Sequence, residues 1–222
     1  MVTSRKTSVV TGWLFLIAMA ASLTGGAMIE SVVGVTDFMN SIAANPLQIK
    51  LGIVLEFINA LSVIGIAVMM FPVLKQNSEK SAVGYLGLRI MESIVCVMSA
   101  FIPIVLITLS REYIKANPSE GFSFQSIGII LLAIRSHITG ILIPLFYCTS
   151  ALIFYILLLK TKFLPRFIAI WGILGVALIV ILNILRLNNS IGMFFALPII
   201  LNEMFLGVWL IVKGFKANQS LQ

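Results

Sequence analysis

Long apolar stretches separated by short polar segments run along almost the whole chain. Each is about 20 or more residues long, the length that an α-helix needs to cross a bilayer. Within a stretch the apolar positions do not alternate with polar ones, as they would in the strands of a membrane barrel. The stretches are residues 8–29, 47–74, 82–109, 137–159, 164–185 and 191–212. We therefore predict an all-α fold, a polytopic membrane helix bundle with six transmembrane helices.

The composition supports lipid rather than water as the solvent of this chain. Hydrophobic residues make up 60% of it and charged residues 10%, against about 45–50% and about 25% in soluble domains. No linker or low-complexity tract interrupts the pattern, so we expect residues 1–222 to form a single integral membrane domain. A shorter apolar stretch at 127–136 either extends the fourth helix or forms an interfacial helix before it.

The first stretch has a second interpretation. Arg5 and Lys6 precede it and Gly25, Gly26 and Ala27 lie near its end, an arrangement that also occurs in secretory signals. The stretch is long for a signal and five more follow it. We therefore favour a helix that is retained in the protein.

The basic residues predict the orientation of the bundle. With the N-terminus inside, nine lysines and arginines fall in the inner segments and five in the outer ones. The inner residues are Arg5, Lys6, Lys75, Lys80, Lys160, Lys162, Arg166, Lys213 and Lys216, and the outer ones are Lys50, Arg111, Lys115, Arg135 and Arg186. Trp13, Trp171, Trp209 and Tyr85 fall near the same inner ends, as expected for interfacial aromatic residues. We predict that both termini are cytoplasmic and that the longest loop, 110–126, faces outward.

The net charge of +7 would suggest nucleic acid as the partner of a soluble protein. Here the basic residues lie in short loops between apolar stretches, where they act as topology signals. The chain also has no basic stripe or RNA-binding signature. We expect lipid as its surroundings and no nucleic-acid partner.

Polar and charged residues inside the predicted helices are the candidate functional groups. An ionised side chain near mid-membrane costs about 2.5–3.5 kcal/mol on insertion scales, so such residues persist when they are paired, neutralised or functional. The predicted ligand- or proton-binding residues are Glu56, Asn59, Arg89, Glu92, Asn202 and Glu203. Their similar depths predict one shared site, provided that their helices are neighbours. The alternative is that these groups form hydrogen bonds that only fix helix register.

The charge balance of this set favours a ligand or a proton. Arg89 and Glu92 are three residues apart and can pair within one helix, which leaves Glu56 and Glu203 without a cation. We expect at least one of the three carboxyl groups to be protonated at neutral pH, unless a cation occupies the site. Arg135 and His137 lie near the outer end of the fourth helix and are predicted entrance residues.

Metal and cofactor motifs are not evident in the sequence. A single histidine cannot build a usual zinc enzyme site, and Cys96 and Cys148 lie within apolar stretches as small hydrophobic residues would. We predict no cofactor, and the sequence leaves any metal ion unidentified. Pro103, Pro144 and Pro198 fall in the outer halves of their helices and predict bends there. Gly25, Gly26, Gly65, Gly172 and Gly175 predict close helix approaches.

Several of these residues also occur in a known family. The matching segments are 56–60 (EFINA), 65–68, 71–75 (FPVLK), 84–85, 164–166, 171–172, 196–198, 203–204 and 208–215 (VWLIVKGF), with Arg89 and Glu92. Through them the chain resembles the bacterial multi-pass membrane proteins grouped as domain-of-unknown-function family 4386. The resemblance implies a place in the bacterial cytoplasmic membrane and carries no activity with it. Loop 110–126 matches none of the family's segments.

Three functions remain open from the sequence. The first is a proton- or cation-linked transporter or sensor of a small molecule, with its site at the buried carboxylates and Arg89. The second is a non-catalytic accessory protein whose charges serve packing alone. The third is an intramembrane enzyme acting on lipid or peptide, which we consider less favoured because no nucleophile motif or histidine cluster is present. The sequence predicts neither the substrate nor the oligomeric state.

Overall fold

A computed structural model describes residues 5–161, 163–185 and 189–215 of the chain. The described part is helical. Its elements are α1 (Arg5–Val33), α2 (Phe38–Ala44), α3 (Pro46–Lys75), α4 (Glu79–Lys115), α5 (Pro118–His137), a π-helical segment π1 (Ile138–Leu142), α6 (Ile143–Thr161), α7 (Arg166–Leu185) and α8 (Asn189–Val212). Lys162, Arg186 and Lys216, which enter the topology prediction, lie outside the described residues.

Six of the helical stretches are long and apolar enough to cross a membrane. They are Arg5–Val33, Pro46–Lys75, Glu79–Lys115, Gly121–Thr161, Arg166–Asn183 and Phe194–Val212. This confirms the predicted all-α class and the six spans. The fourth stretch joins α5, π1 and α6 into one continuous rod, so residues 127–136 belong to that rod and do not form a separate interfacial helix.

The segment 110–126 was predicted as a loop, and this prediction is wrong. Helix α4 continues to Lys115 and α5 already begins at Pro118, so the two helices form a hairpin on the predicted outer side. Glu112 accepts a hydrogen bond from Lys115 at 3.0 Å near its tip. Polarity marked the end of the apolar stretch, but polar residues such as Arg111 and Glu112 are good helix formers and continue the helix.

The six long rods form a closed ring. Helix α1 packs against α3 and α8, α3 against α4, α4 against α6, α6 against α7, and α7 against α8. Two glycine pairs hold α1 close to its neighbours. A Cβ added at Gly12 would lie 2.5 Å from the carbonyl oxygen of Gly207 on α8, and one added at Gly25 would lie 2.9 Å from that of Gly52 on α3. Such contacts allow the backbones to touch, as is typical of membrane helices.

The bundle has two apolar cores with polar groups between them. The inner core, toward the predicted cytoplasmic side, includes Tyr85, Phe154 and Leu210. The outer core includes Ile49 and Leu106 together with residues of the short helix α2, which covers this end. Along α4 the buried residues Arg89, Glu92 and Ser93 lie between the residues that enter each core. The fold therefore places its functional candidates in a layer near the middle of the bundle.

The outer cavity and the inner polar cluster

A cavity of about 670 Å³ opens among α1, α3, α4 and the α5–π1–α6 rod, and we call it the outer cavity. It is lined by Ser22, Gly26, Glu30, Val33, Glu56, Asn59, Cys96, Ser99, Leu132, Arg135, Ser136, Thr139, Gly140 and Ile143. From Val33 at the end of α1 the lining reaches Ser22, eleven residues or about 16 Å deeper along the helix axis. Its volume falls within the range of small-molecule sites, which is about 300–1,000 Å³.

An ion pair between Glu56 on α3 and Arg135 on α5 lies in the wall of the outer cavity. Arg135 Nη2 donates to Glu56 Oε1 and Arg135 Nη1 donates to Glu56 Oε2 at 3.2 Å. The same Nη1 donates to the carbonyl oxygen of Ser99 at 2.7 Å and to its hydroxyl at 2.9 Å. Their side chains are 8% (Arg135) and 15% (Glu56) exposed. Both terminal nitrogens of the guanidinium thus donate to acceptors on α3 or α4.

Two further polar side chains of the cavity are not engaged in this way. Glu30 on α1 is exposed, and no hydrogen bond or ion pair joins its carboxylate to the described residues. The Asn59 amide, one turn from Glu56, likewise has no hydrogen-bond partner in the described part of the chain. Glu30, Glu56 and Arg135 together carry one excess negative charge. The cavity therefore offers a carboxylate and an amide to whatever enters it.

The π1 segment shapes the cavity wall opposite α1. Pro144 has no N–H, so the carbonyl group of Gly140 loses its α-helical partner. The backbone responds with a wider turn, in which the N–H of Ile143 donates to the carbonyl of Ile138. Thr139 and Gly140 from this turn line the cavity. Wide turns of this kind recur at functional sites, and this one occurs beside one of the three prolines that predicted an outer bend.

A second polar group, which we call the inner cluster, consists of Arg89, Glu92, Tyr147, Ser150 and Glu203. Arg89 Nη1 donates to both carboxylate oxygens of Glu92 at 3.3 Å. The guanidinium carbon of Arg89 lies 5.4 Å from the ring centroid of Tyr147, and the Tyr147 hydroxyl donates to Glu203 Oε1 at 2.8 Å. The Ser150 hydroxyl lies 3.5 Å from Glu92 Oε2. The cluster thus joins α4, α6 and α8.

Asn202 has a different role from its neighbour Glu203. Its Oδ1 accepts a hydrogen bond from the Tyr155 hydroxyl at 2.7 Å, and its Nδ2 donates to the carbonyl oxygen of Ile168 at 2.9 Å. Asn202 is completely buried. The side chain therefore ties α8 to α6 and α7 with both of its polar groups, which is the register-fixing role that the alternative interpretation predicted for buried amides.

Five of the six predicted binding residues fall into these two groups rather than into one, and Asn202 belongs to neither. Glu56 and Asn59 line the outer cavity, whereas Arg89, Glu92 and Glu203 belong to the inner cluster. The expectation that Glu56 lacks a cation is wrong, since Arg135 pairs with it. The carboxyl groups of Glu56, Glu92 and Glu203 therefore face two guanidinium groups, and the excess negative charge is one rather than two. The prediction that at least one carboxyl is protonated stays a prediction.

Arg135 and His137 were predicted together as entrance residues, and the structure separates them. Arg135 points into the bundle, while His137 is exposed and its Nδ1 lies 2.7 Å from the carbonyl oxygen of Ala133. Residues two apart on a helix lie on nearly opposite sides, which accounts for the difference. Within the described residues no group of three histidine, cysteine, aspartate or glutamate side chains is arranged to hold a metal ion.

Cys96 lines the outer cavity and offers a test of the cavity's accessibility. We expect a small cationic methanethiosulfonate, added outside intact cells, to modify Cys96 faster than an anionic reagent of equal size, because the cavity is negative. Cys148 belongs to the inner core and should stay unmodified. Mass spectrometry of the intact protein measures both sites, with Cys96→Ser and Cys148→Ser as controls. Equal rates for the two reagents, or reaction at Cys148 first, would contradict the geometry.

Comparisons with known proteins identify a family. The model of the family described as "Domain of unknown function (DUF4386)" matches residues 10–214, which confirms the resemblance found in the sequence. No curated protein and no solved structure matches the chain. The outer cavity and the inner cluster both lie within the matched residues.

Proposed function

The chain belongs to this family of unknown function, and from the outer cavity we propose that it binds a small molecule with a cationic group, as a proton- or cation-linked transporter or sensor. The proposal places it in the bacterial cytoplasmic membrane with both termini inside, so that the cavity faces outward. One observation carries it. Both terminal nitrogens of the Arg135 guanidinium already donate to Glu56 or Ser99, whereas no described residue pairs with the carboxylate of Glu30.

The charges of the cavity support a cation over an anion. An anionic ligand at Arg135 would compete with Glu56, which already accepts hydrogen bonds from Nη1 and Nη2 of that side chain. A cation meets no such competition, because Glu30 and the net negative charge are available to it. Hydrogen bonds with a charged partner are the stronger ones, about 1.5–3 kcal/mol. The Asn59 amide supplies an orienting contact beside them.

The ligand is expected to be small and partly apolar. The cavity is lined by Val33, Leu132 and Ile143 as well as by polar groups, and sites of this kind combine an apolar wall with a few orienting polar contacts. Organic amines, quaternary ammonium compounds and zwitterions such as amino acids match this description. A bare metal ion matches it less well, because the described carboxylates do not converge on one point.

Ligand-dependent melting of the purified protein tests the proposal. We expect at least one member of a panel of methylammonium, choline, glycine betaine and amino acids to raise the melting temperature saturably, and matched anions such as acetate to have no effect. A ligand at 100 times its Kd adds about 2.7 kcal/mol of stability. Glu30→Gln should weaken binding about tenfold, equivalent to about 1.4 kcal/mol, and leave the unliganded melting temperature unchanged.

Glu112→Gln is the matched control, because Glu112 is also exposed on the predicted outer side but does not line the cavity. An equal loss of binding in Glu112→Gln would show that the effect is general surface charge. If no compound of the panel raises the melting temperature, the cavity does not bind these ligands. The accessory role then gains support, because a purely structural ion pair would have the same geometry as the Glu56–Arg135 pair.

A further inference from the structure

One face of α4 carries a column of buried polar side chains from one end of the bundle toward the other. Tyr85, Arg89, Glu92, Cys96 and Ser99 follow one another at intervals of four, three, four and three residues, which keeps them on the same side of the helix. All five are buried. The column is about 21 Å long. It begins near the predicted cytoplasmic end of α4 and reaches the outer cavity, where Cys96 and Ser99 are lining residues.

The cytoplasmic part of the column contains polar atoms with no partner. The Tyr85 side chain is 0% exposed and Arg89 is 3% exposed. The Tyr85 ring centroid lies 5.6 Å from the guanidinium carbon of Arg89. Neither the Tyr85 hydroxyl nor Arg89 Nε has a hydrogen-bond partner at normal distance among the described residues. Buried donors are almost always satisfied by protein or water, so this position is suited to an ordered water molecule next to the inner cluster.

We propose that the inner cluster is a proton-binding site and that Glu203 is the group that carries the proton. Two carboxyl groups, Glu92 and Glu203, face one guanidinium, and Arg89 contacts Glu92 directly. Glu203 instead accepts a hydrogen bond from the Tyr147 hydroxyl, so it is the carboxyl of the pair without a direct cationic partner among the described residues. On release, the O–H bond of Glu203 breaks, its electron pair stays on the carboxylate oxygen, and the proton leaves on a water molecule.

The groups that face Glu203 come from α4 and α6, whose side chains reach α8 across the interior of the bundle. Helix α4 contributes Arg89, Glu92 and Tyr85, and helix α6 contributes Tyr147 and Tyr155. The helices that pack directly against α8 are α1 and α7. Their described titratable residues are Arg5, Lys6 and Glu30 on α1 and Arg166 on α7, all near helix ends. The inner cluster therefore decides the protonation of Glu203 largely by itself.

This proton site deepens the proposed function and, as a coupling site, rests on it. The column on α4 connects the inner cluster with the outer cavity, since Glu92 and Cys96 are one helical turn apart. A change of charge at the cluster therefore acts on the same helix that supplies Ser99 to the Arg135 ion pair. The coupled ion would then be the proton, bound at a place separate from the small molecule.

Infrared difference spectroscopy of the purified full-length protein tests the site directly. Spectra recorded in H₂O and D₂O over the pH range in which the protein stays folded should contain the band of a protonated carboxyl group that titrates. We expect Glu203→Gln to remove this band and Glu30→Gln or Glu112→Gln to retain it. Tyr147→Phe should shift both its frequency and its titration midpoint, because it deletes the hydrogen bond to Oε1.

The outcomes separate this proposal from the proposed function. A titrating band that persists in Glu203→Gln, or that is lost in Glu92→Gln instead, overturns the assignment to Glu203. Should Glu203→Gln not fold, an unchanged band in Tyr147→Phe overturns it equally. A band that behaves as expected in a protein that binds no cation leaves the proton site standing and removes the cavity function. Cation binding without a titrating band supports the cavity function and overturns the proton site.

Discussion

Replacing Arg135 with alanine will lower the melting temperature of the protein by on the order of 10 °C. The substitution leaves the Glu56 carboxylate without its cation and removes the donor to both oxygens of Ser99. Breaking a buried ion pair by deleting one partner costs about 3–5 kcal/mol, because the remaining charge stays buried and unpaired. Thermal unfolding in detergent, followed by circular dichroism or tryptophan fluorescence, measures the change.

The effect of the unpaired Glu56 charge on the melting temperature can be separated from the effect of the lost side-chain volume. The double variant Glu56→Gln with Arg135→Gln removes both charges, so we expect it to recover most of the stability. Arg111→Ala is the matched control, because Arg111 is exposed on the outer part of α4. A single Arg135→Ala variant as stable as the wild type would mean that water or lipid headgroups solvate Glu56 in the open cavity.

Gly12→Ala will be the second strongly destabilising substitution, although it adds only one methyl group. The added Cβ would lie 2.5 Å from the carbonyl oxygen of Gly207 and 2.7 Å from Cγ1 of Ile211. The carbonyl oxygen belongs to the backbone of α8 and cannot rotate away, so α1 and α8 must separate. Overpacking of this kind costs about 1–3 kcal/mol, and occasionally more. The melting temperature should fall accordingly.

Gly87→Ala is the control for this prediction, since nothing lies within 4 Å of a Cβ at that position of α4. Alanine is also the better helix former. We therefore expect Gly87→Ala to be neutral or slightly stabilising. Equal losses in Gly12→Ala and Gly87→Ala would show that glycine flexibility, and not the contact between α1 and α8, determines the effect.

The sequence predicted the helices well because the apolar length of a stretch is a local property. The six spans and the all-α class follow from it, whereas the polar end of α4 does not, because a helix outside the bilayer needs no apolar residues. The Glu56–Arg135 pair was not predicted because its members are 79 residues apart. Their contact depends on which helices are neighbours, and one sequence does not contain that information.

The orientation of each helix about its own axis was the other property that the sequence did not predict. Gly25 and Gly26 both predicted a close approach. Of the two, Gly25 touches another helix, whereas a Cβ added at Gly26 would meet no atom of the described residues within 4 Å. Tyr85 was assigned to the membrane interface, yet its ring is buried and stacks on Phe154 at 5.5 Å. Its spacing of four residues before Arg89 was a readable sign that it shares the face of the buried charges.

The partners of Glu203 and Asn202 were missed for a related reason. Tyr147 and Tyr155 lie in an apolar stretch, where a tyrosine does not by itself indicate a hydrogen-bond partner. Their interval of eight residues places both on one side of α6, and both hydroxyl groups donate to consecutive residues of α8. Tyrosines at helical spacing inside a predicted span are therefore a useful sign of buried acceptors on another helix.

The hairpin of α4 and α5 has a practical consequence for imaging. With 37 residues, α4 is about 55 Å long, whereas the hydrocarbon core of a bilayer is about 30 Å thick. A bundle of 24.3 kDa embedded in a detergent micelle offers electron microscopy almost no feature by which particles can be aligned. The hairpin tip projects from one side and consists of the ends of two helices. An antibody fragment raised against the tip would add a visible feature on one side of each particle, and that feature would define the orientation of the particle during alignment.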